Sequence, residues 1–131
     1  MIAYKVIPRK KPGTTLVKWY ATTASKQMDF NQMVQDIVNN CTVTRPDVLA
    51  VLAALQERIV ANLKEGKTVP LLELGTITYT LGSQGTDLKK DFTADQITAF
   101  RVHFRVSTAI KRYLRRSDLR FENVEQTQSE P

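Results

Sequence analysis

Between residues 100 and 106 apolar and polar positions alternate strictly. Phe100, Val102, Phe104 and Val106 are separated by Arg101, His103 and Arg105. A period of two predicts a strand with an apolar face and a cationic face. The rhythm then changes. Ser107 is a natural N-cap, and Ile110, Tyr113 and Leu114 predict a short helix that they hold to the core. Lys111, Arg112, Arg115 and Arg116 follow Ser107 with no acid among them.

The same reading orders the rest of the chain. Residues 2–7 and 16–22 predict two short strands joined by a loop through Pro8, Arg9, Lys10, Lys11, Pro12 and Gly13, a hairpin with a cationic tip. Phe30, Met33, Val34, Ile37 and Val38 recur at helical spacing over residues 29–40, with Asp29 as cap. After a short connection at Cys41–Val43, the segment Thr44-Arg45-Pro46-Asp47 opens a second helix. It runs to about Glu65 and stops at Gly66. Strands follow at Val69–Glu73 and Thr76–Leu81, with a bend at Gly75. Ile77, Tyr79 and Leu81 turn toward the core, and Thr76, Thr78 and Thr80 turn away. Residues 82–98 are polar and form a long loop or a short extra turn. From Ser117 onward the chain is polar and frays.

The second helix is apolar over more than one face. Val48, Leu49, Val51, Leu52, Leu55, Ile59, Val60 and Leu63 are joined by four alanines. A helix on a single small core needs only one stripe. The excess predicts a homodimer, unless the first helix, the sheet and the hairpin cover it within one chain.

With 131 residues, 42% hydrophobic and 24% charged, the composition is that of one globular domain with an extension. The net charge of +6 is unevenly placed. Residues 1–26 carry Lys5, Arg9, Lys10, Lys11, Lys18 and Lys26 and no acid. Residues 101–120 carry seven bases against Asp118. Acids outnumber bases in residues 27–100 and in 121–131. Such asymmetry suits a polyanionic partner, nucleic acid before membrane surface; the alternative is that the bases only maintain solubility. No basic amphipathic helix exposes large apolar residues, so a membrane partner is not expected. The longest apolar run, residues 48–55, is too short to span a bilayer, and the N-terminus has no apolar core of a signal peptide.

Cys41 is the one cysteine and His103 the one histidine. They exclude an internal disulfide, give no metal cluster and fit a reducing compartment; Cys41 reads as a buried, inert thiol. No phosphate-binding glycine loop, nucleophile elbow, zinc-protease helix or triad is present. A cofactor, a small-molecule substrate and enzymatic activity are therefore not expected.

The order helix–helix–strand–strand–strand–helix resembles the bacterial HU and integration host factor family of DNA-binding proteins. Gly66, Val69, Leu71, Leu74, Gly75, Thr76 and Ile77 match its G-x-x-V-x-L-x-x-(apolar)-G-T-(apolar) segment. Phe104, Ala109, Ile110 and Lys111 match its final strand and A-(apolar)-K helix. The resemblance covers about residues 28–115. It implies an α+β, HU-like fold: a two-helix body, a three-stranded antiparallel sheet and a short C-terminal helix, assembled as an intertwined homodimer. Residues 1–26 are then an added β-hairpin, 27–116 the DNA-binding domain and 117–131 a flexible polar tail. The hairpin resembles the extension of a longer HU-like subgroup that lacks the DNA-clasping arm.

The resemblance also implies double-stranded DNA as partner and a histone-like, nucleoid-associated, DNA-condensing role in the cytoplasm, with little sequence preference. Arg101, His103 and Arg105, beside Thr76, Thr78 and Thr80, become the floor of a saddle against the duplex. Lys111 matches a basic position of the family's last helix. Arg112, Arg115, Lys89, Lys90 and the hairpin bases Arg9, Lys10 and Lys11 are further candidate DNA contacts. Arg101 and Arg105, four residues apart, project from one face at about 13 Å. The competing expectation is a solvated face with these arginines paired to acids such as Glu73. Lys111 with Arg115 and Arg112 with Arg116 are like-charge helical pairs that a phosphate relieves, the alternative being a frayed, solvated C-terminal helix. Trp19 and Tyr20 either stack on bases or serve as core.

The chain departs from the family at the arm. Residues 82–95 are short and polar, with no proline between Leu71 and Arg116. Ser107-Thr108 replace the family's Gly-Lys. These departures carry an alternative: an HU-derived structural or protein-interaction module without strong DNA binding.

Overall fold

The computed structural model describes residues 1–125. It is mixed α+β and divides into two compact units, residues 34–113 and residues 1–33 with the segment from 114 onward.

α1 (Phe30–Asn40), whose residues from Val34 onward belong to the first unit, leads into α2 (Arg45–Lys64). Asp29 Oδ1 accepts from the Asn31 backbone N–H at 3.2 Å, as expected of a first-turn cap. α2 opens on a full capping box. Thr44 Oγ1 accepts from the Asp47 N–H at 3.3 Å, and Asp47 Oδ2 accepts from the Thr44 N–H at 3.1 Å. Its end is a Schellman closure on Gly66, whose φ of +77° suits glycine. Gly66 N–H donates to Leu63 C=O and Lys67 N–H to Asn62 C=O, each at 3.0 Å. Arg45 Nη2 donates to Gln35 Oε1 at 3.4 Å, tying the two helices.

A sheet of order β3-β4-β5 follows. β3 is only Val69–Pro70, shorter than the expected strand to Glu73. Pro70 has no N–H to continue the ladder. Leu71–Leu74 instead form a tight turn, with Leu74 N–H bonded to Leu71 C=O and Leu71 N–H to Gly75 C=O. β4 (Gly75–Ser83) and β5 (Ile97–Val106) form the long antiparallel pair. Their connection is ordered by the short 3₁₀ turns Lys89–Asp91 and Ala94–Gln96 and a Thr93–Gln96 capping box.

α3 (Thr108–Arg112) begins at Ser107, whose Oγ accepts from the Ile110 N–H and donates to the Glu73 carbonyl. The helix ends before Arg115, which is extended. The expected helical pairs Lys111–Arg115 and Arg112–Arg116 therefore do not form: one turn is too short to carry them. Tyr113 and Leu114 are exposed rather than holding α3 to a core.

The second unit holds a sheet of order β2-β1-β6. β1 (Ile2–Lys10) and β2 (Val17–Thr23) are the expected hairpin, with β1 longer than its apolar run. The turn is set by Pro12 and by Gly13 at φ +80°, closed by Thr14 N–H on Lys11 C=O at 3.1 Å. Proline then glycine with positive φ is a type II arrangement. Pro8 is tolerated because it lies beyond the part of β1 flanked on both sides.

The fraying expected from Ser117 onward does not hold at Phe121–Asn123. β6 (Phe121–Asn123) pairs in parallel with Ile2–Tyr4, and the Arg116 guanidinium sits 4.3 Å from the Phe121 ring centroid. Backbone pairing and this cation–π contact supply order that polar composition alone does not signal. The tail beyond Glu125 lies outside the described residues.

Among the described residues only Val34, Val48 and Leu63 are buried apolar side chains. Cys41 is exposed, not buried as expected, because the short α1–α2 connection has no chain over it.

Candidate nucleic-acid interface

Register on β4 and β5 decides what each face carries. Thr76 lies opposite Arg105, Thr78 opposite His103 and Thr80 opposite Arg101. Directly opposed residues share a face, so the six side chains form one polar, cationic surface. Thr80 Oγ1 and His103 Nε2 are 2.9 Å apart, a diagonal hydrogen bond that fixes the imidazole within the row. Gly82, opposite Ala99, leaves space over which Arg101 lies. Arg101 and Arg105 are exposed and make no ion pair among the described residues. The expected alternative, pairing with Glu73, is not formed.

The other face of the same strands is apolar. Ile77 opposes Phe104, Tyr79 opposes Val102 and Leu81 opposes Phe100. Tyr79 stacks on Phe100 with ring centroids 5.0 Å apart, and its hydroxyl donates to Gly66 C=O at 2.7 Å. This pins the sheet to the end of α2. Even so, Phe100, Val102 and Phe104 are 50%, 55% and 54% exposed. Phe100 and Val102 border a cleft with Val60, Leu63 and Lys64 of α2. An apolar face this open exceeds the singly scattered exposed apolar residues of an ordinary surface.

Gly75 makes the strand pair possible. Its φ is +153°, and a Cβ there would run into the Arg105 carbonyl oxygen and come within 2.9 Å of the Phe104 ring. Backbone and ring approach residue 75 too closely for any side chain.

The other candidate residues are dispersed. Lys111 and Arg112 are exposed on α3. Lys89 and Lys90 stand in the loop at the Arg101 end of the β4–β5 pair. Arg115 belongs to the other unit, as do Arg9, Lys10 and Lys11. Lys18 and Tyr20, absent from the expected set of cationic contacts, join these three in one cleft. A cross-strand register, which the sequence does not state, was the missing signal.

No group of His, Cys, Asp or Glu among the described residues is placed to hold a metal ion. No described helix is long and apolar enough to cross a membrane.

Two helices, a three-stranded sheet with a basic face and a capped terminal helix define an HU-like protein. The profile of the HU-HIG family, described as an HU domain fused to a wHTH, Ig or glycine-rich motif, matches residues 1–123, and the chain belongs to that family. The fold is similar to the crystal structure of a candidate bacterial DNA binding protein from Bacteroides vulgatus ATCC 8482. The two share 14% identity at a TM-score of 0.60, over 94% of this chain and 47% of that one. The chain thus spans about half the length of that protein. No curated protein matches the chain.

Proposed function

We propose that the chain is a nucleoid-associated, DNA-binding member of the longer, armless HU-like subgroup. It acts as a homodimer on duplex DNA with little sequence preference. One observation carries the reading: Arg101, His103 and Arg105 are exposed in a single row, unpaired by acids among the described residues, on the back of an apolar sheet face that one chain leaves open.

Phosphate neutralisation by such a row supplies affinity without reading bases. Lys111 and Arg112 add contacts from α3, and Lys89 and Lys90 from the loop. Arg115 and the hairpin bases Arg9, Lys10 and Lys11 add phosphate contacts from the other unit. A second copy covers Phe100, Val102 and Phe104 and doubles the cationic surface. DNA compaction in the cytoplasmic nucleoid follows from such binding. The role is binding rather than catalysis.

The experiment is fluorescence anisotropy with labelled duplexes of unrelated sequence. Affinities within a few-fold of one another support the reading, and strong preference for one duplex opposes it. The compact 84–96 loop, where the family carries its DNA-clasping arm, favours one rival: an HU-derived interaction module. Absence of binding to any duplex at low salt is the result that module predicts.

A further inference from the structure

We propose that the cationic cleft on the N-terminal hairpin takes single-stranded nucleic acid, with Tyr20 stacking on a base while Arg9, Lys11 and Lys18 hold phosphates. The inference rests on the chain being a nucleic-acid-binding protein and refines the part given to Arg9–Lys11. The cleft is an open space of ≈ 510 Å³ lined by Arg9, Lys10, Lys11, Pro12, Lys18 and Tyr20.

Arg9 and Lys18 are directly opposed in the β1–β2 register. Like charges at directly opposed positions destabilise a strand pair. Nothing among the described residues offsets this: residues 1–26 contain no acid, and none of the four cleft cations forms a described ion pair. A bound polyanion removes the repulsion.

The aromatic ring selects the kind of polyanion. Tyr20 is two residues from Lys18 on β2 and so shares its face. It is 49% exposed, and Trp19, on the opposite face, is 66% exposed. A stacked duplex has no free base to offer a tyrosine within a cationic cleft. A single strand offers unstacked bases and closely spaced phosphates, and a β-surface combining aromatic rings with cations is the general way of gripping it. The type II turn at Pro12–Gly13 fixes the backbone beside Lys11, which lines this cleft.

The test uses the full chain and a labelled oligothymidine of about 12 nucleotides, beside a labelled duplex, across a salt series. Tyr20→Ala is expected to weaken oligothymidine binding about tenfold, with Tyr20→Phe retaining it. Arg9→Gln/Lys18→Gln, at exposed positions, is expected to lower the oligothymidine salt slope by about 1.4. Tyr20→Ala is not expected to alter duplex affinity as much, whereas the glutamine double variant also removes the duplex contact given to Arg9. Arg101→Ala/Arg105→Ala should do the reverse, so failure of the sheet reading and failure of this one are separable. The proposal is overturned if the native chain does not bind oligothymidine at about 50 mM salt. It is also overturned if Tyr20→Ala binds unchanged, or loses single strand and duplex equally. Should Tyr20→Ala not fold, an unchanged salt slope in the glutamine double variant overturns it alone.

Discussion

Gly82 leaves room for Arg101: a Cβ at residue 82 would stand 3.0 Å from the Arg101 Nη1 atom. The nearest atom is the far end of a flexible side chain, and the Ala99 Cβ at 3.1 Å asks the strand pair to give by only a few tenths of an ångström. Gly82→Ala is therefore expected to fold with nearly native stability while moving the guanidinium out of its row. Duplex affinity should fall about threefold and the salt slope by less than about 0.9, one phosphate's worth. Anisotropy beside a thermal melt checks both halves.

Gly75 is the opposite case. There the obstruction is the Arg105 carbonyl and the Phe104 ring, and φ is +153°. Gly75→Ala combines backbone strain with overpacking, and about 3 kcal/mol of stability is expected to be lost. Denaturant titration measures it as a lower midpoint at similar slope.

The start of α2 gives a pH signature. Hydrogen bonds from the Thr44 backbone N–H, then from its hydroxyl, hold the Asp47 carboxyl below its ordinary range. A carboxylate depressed by folding stabilises the native state above its unfolded pKa, and the contribution is lost as pH falls through the folded value. Asp47→Asn is expected to lower the melting temperature at neutral pH and to converge with the native chain in acid. Thr44→Ala should cost about 1 kcal/mol.

The exposed apolar face predicts assembly. At micromolar concentration the native chain is expected to sediment as a dimer. Val102→Asp, which puts a charge opposite Tyr79 on that face, is expected to shift it to monomer or to unfold it. A native chain that sediments as a monomer contradicts the dimer.

Local events were the legible part of this fold. Thr44 and Gly66 act within a few residues, as does Ser107 in capping α3, and each cap or bend, Gly75 included, stands where its residue type puts it. The alternation of β5 likewise placed Arg101, His103 and Arg105 on one face, since period two needs no partner to be read. What pairs across distance was not legible. The segment Phe121–Asn123 is too short to carry a period, and its order comes from Ile2–Tyr4 at the other end of the chain. Lys18 and Tyr20 join Arg9 only through hairpin register. Cys41 is exposed although apolar segments flank it in the sequence, because those segments are helices that leave the connection open.

The salt dependence of duplex binding tests the central claim most directly. Affinity measured from about 50 to 200 mM salt should fall steeply for the native chain. Per chain, Arg101→Ala/Arg105→Ala should reduce the slope of log affinity against log salt by about 1.8, two phosphates' worth. A double variant with native slope and native affinity would show that the β5 row does not meet the DNA backbone.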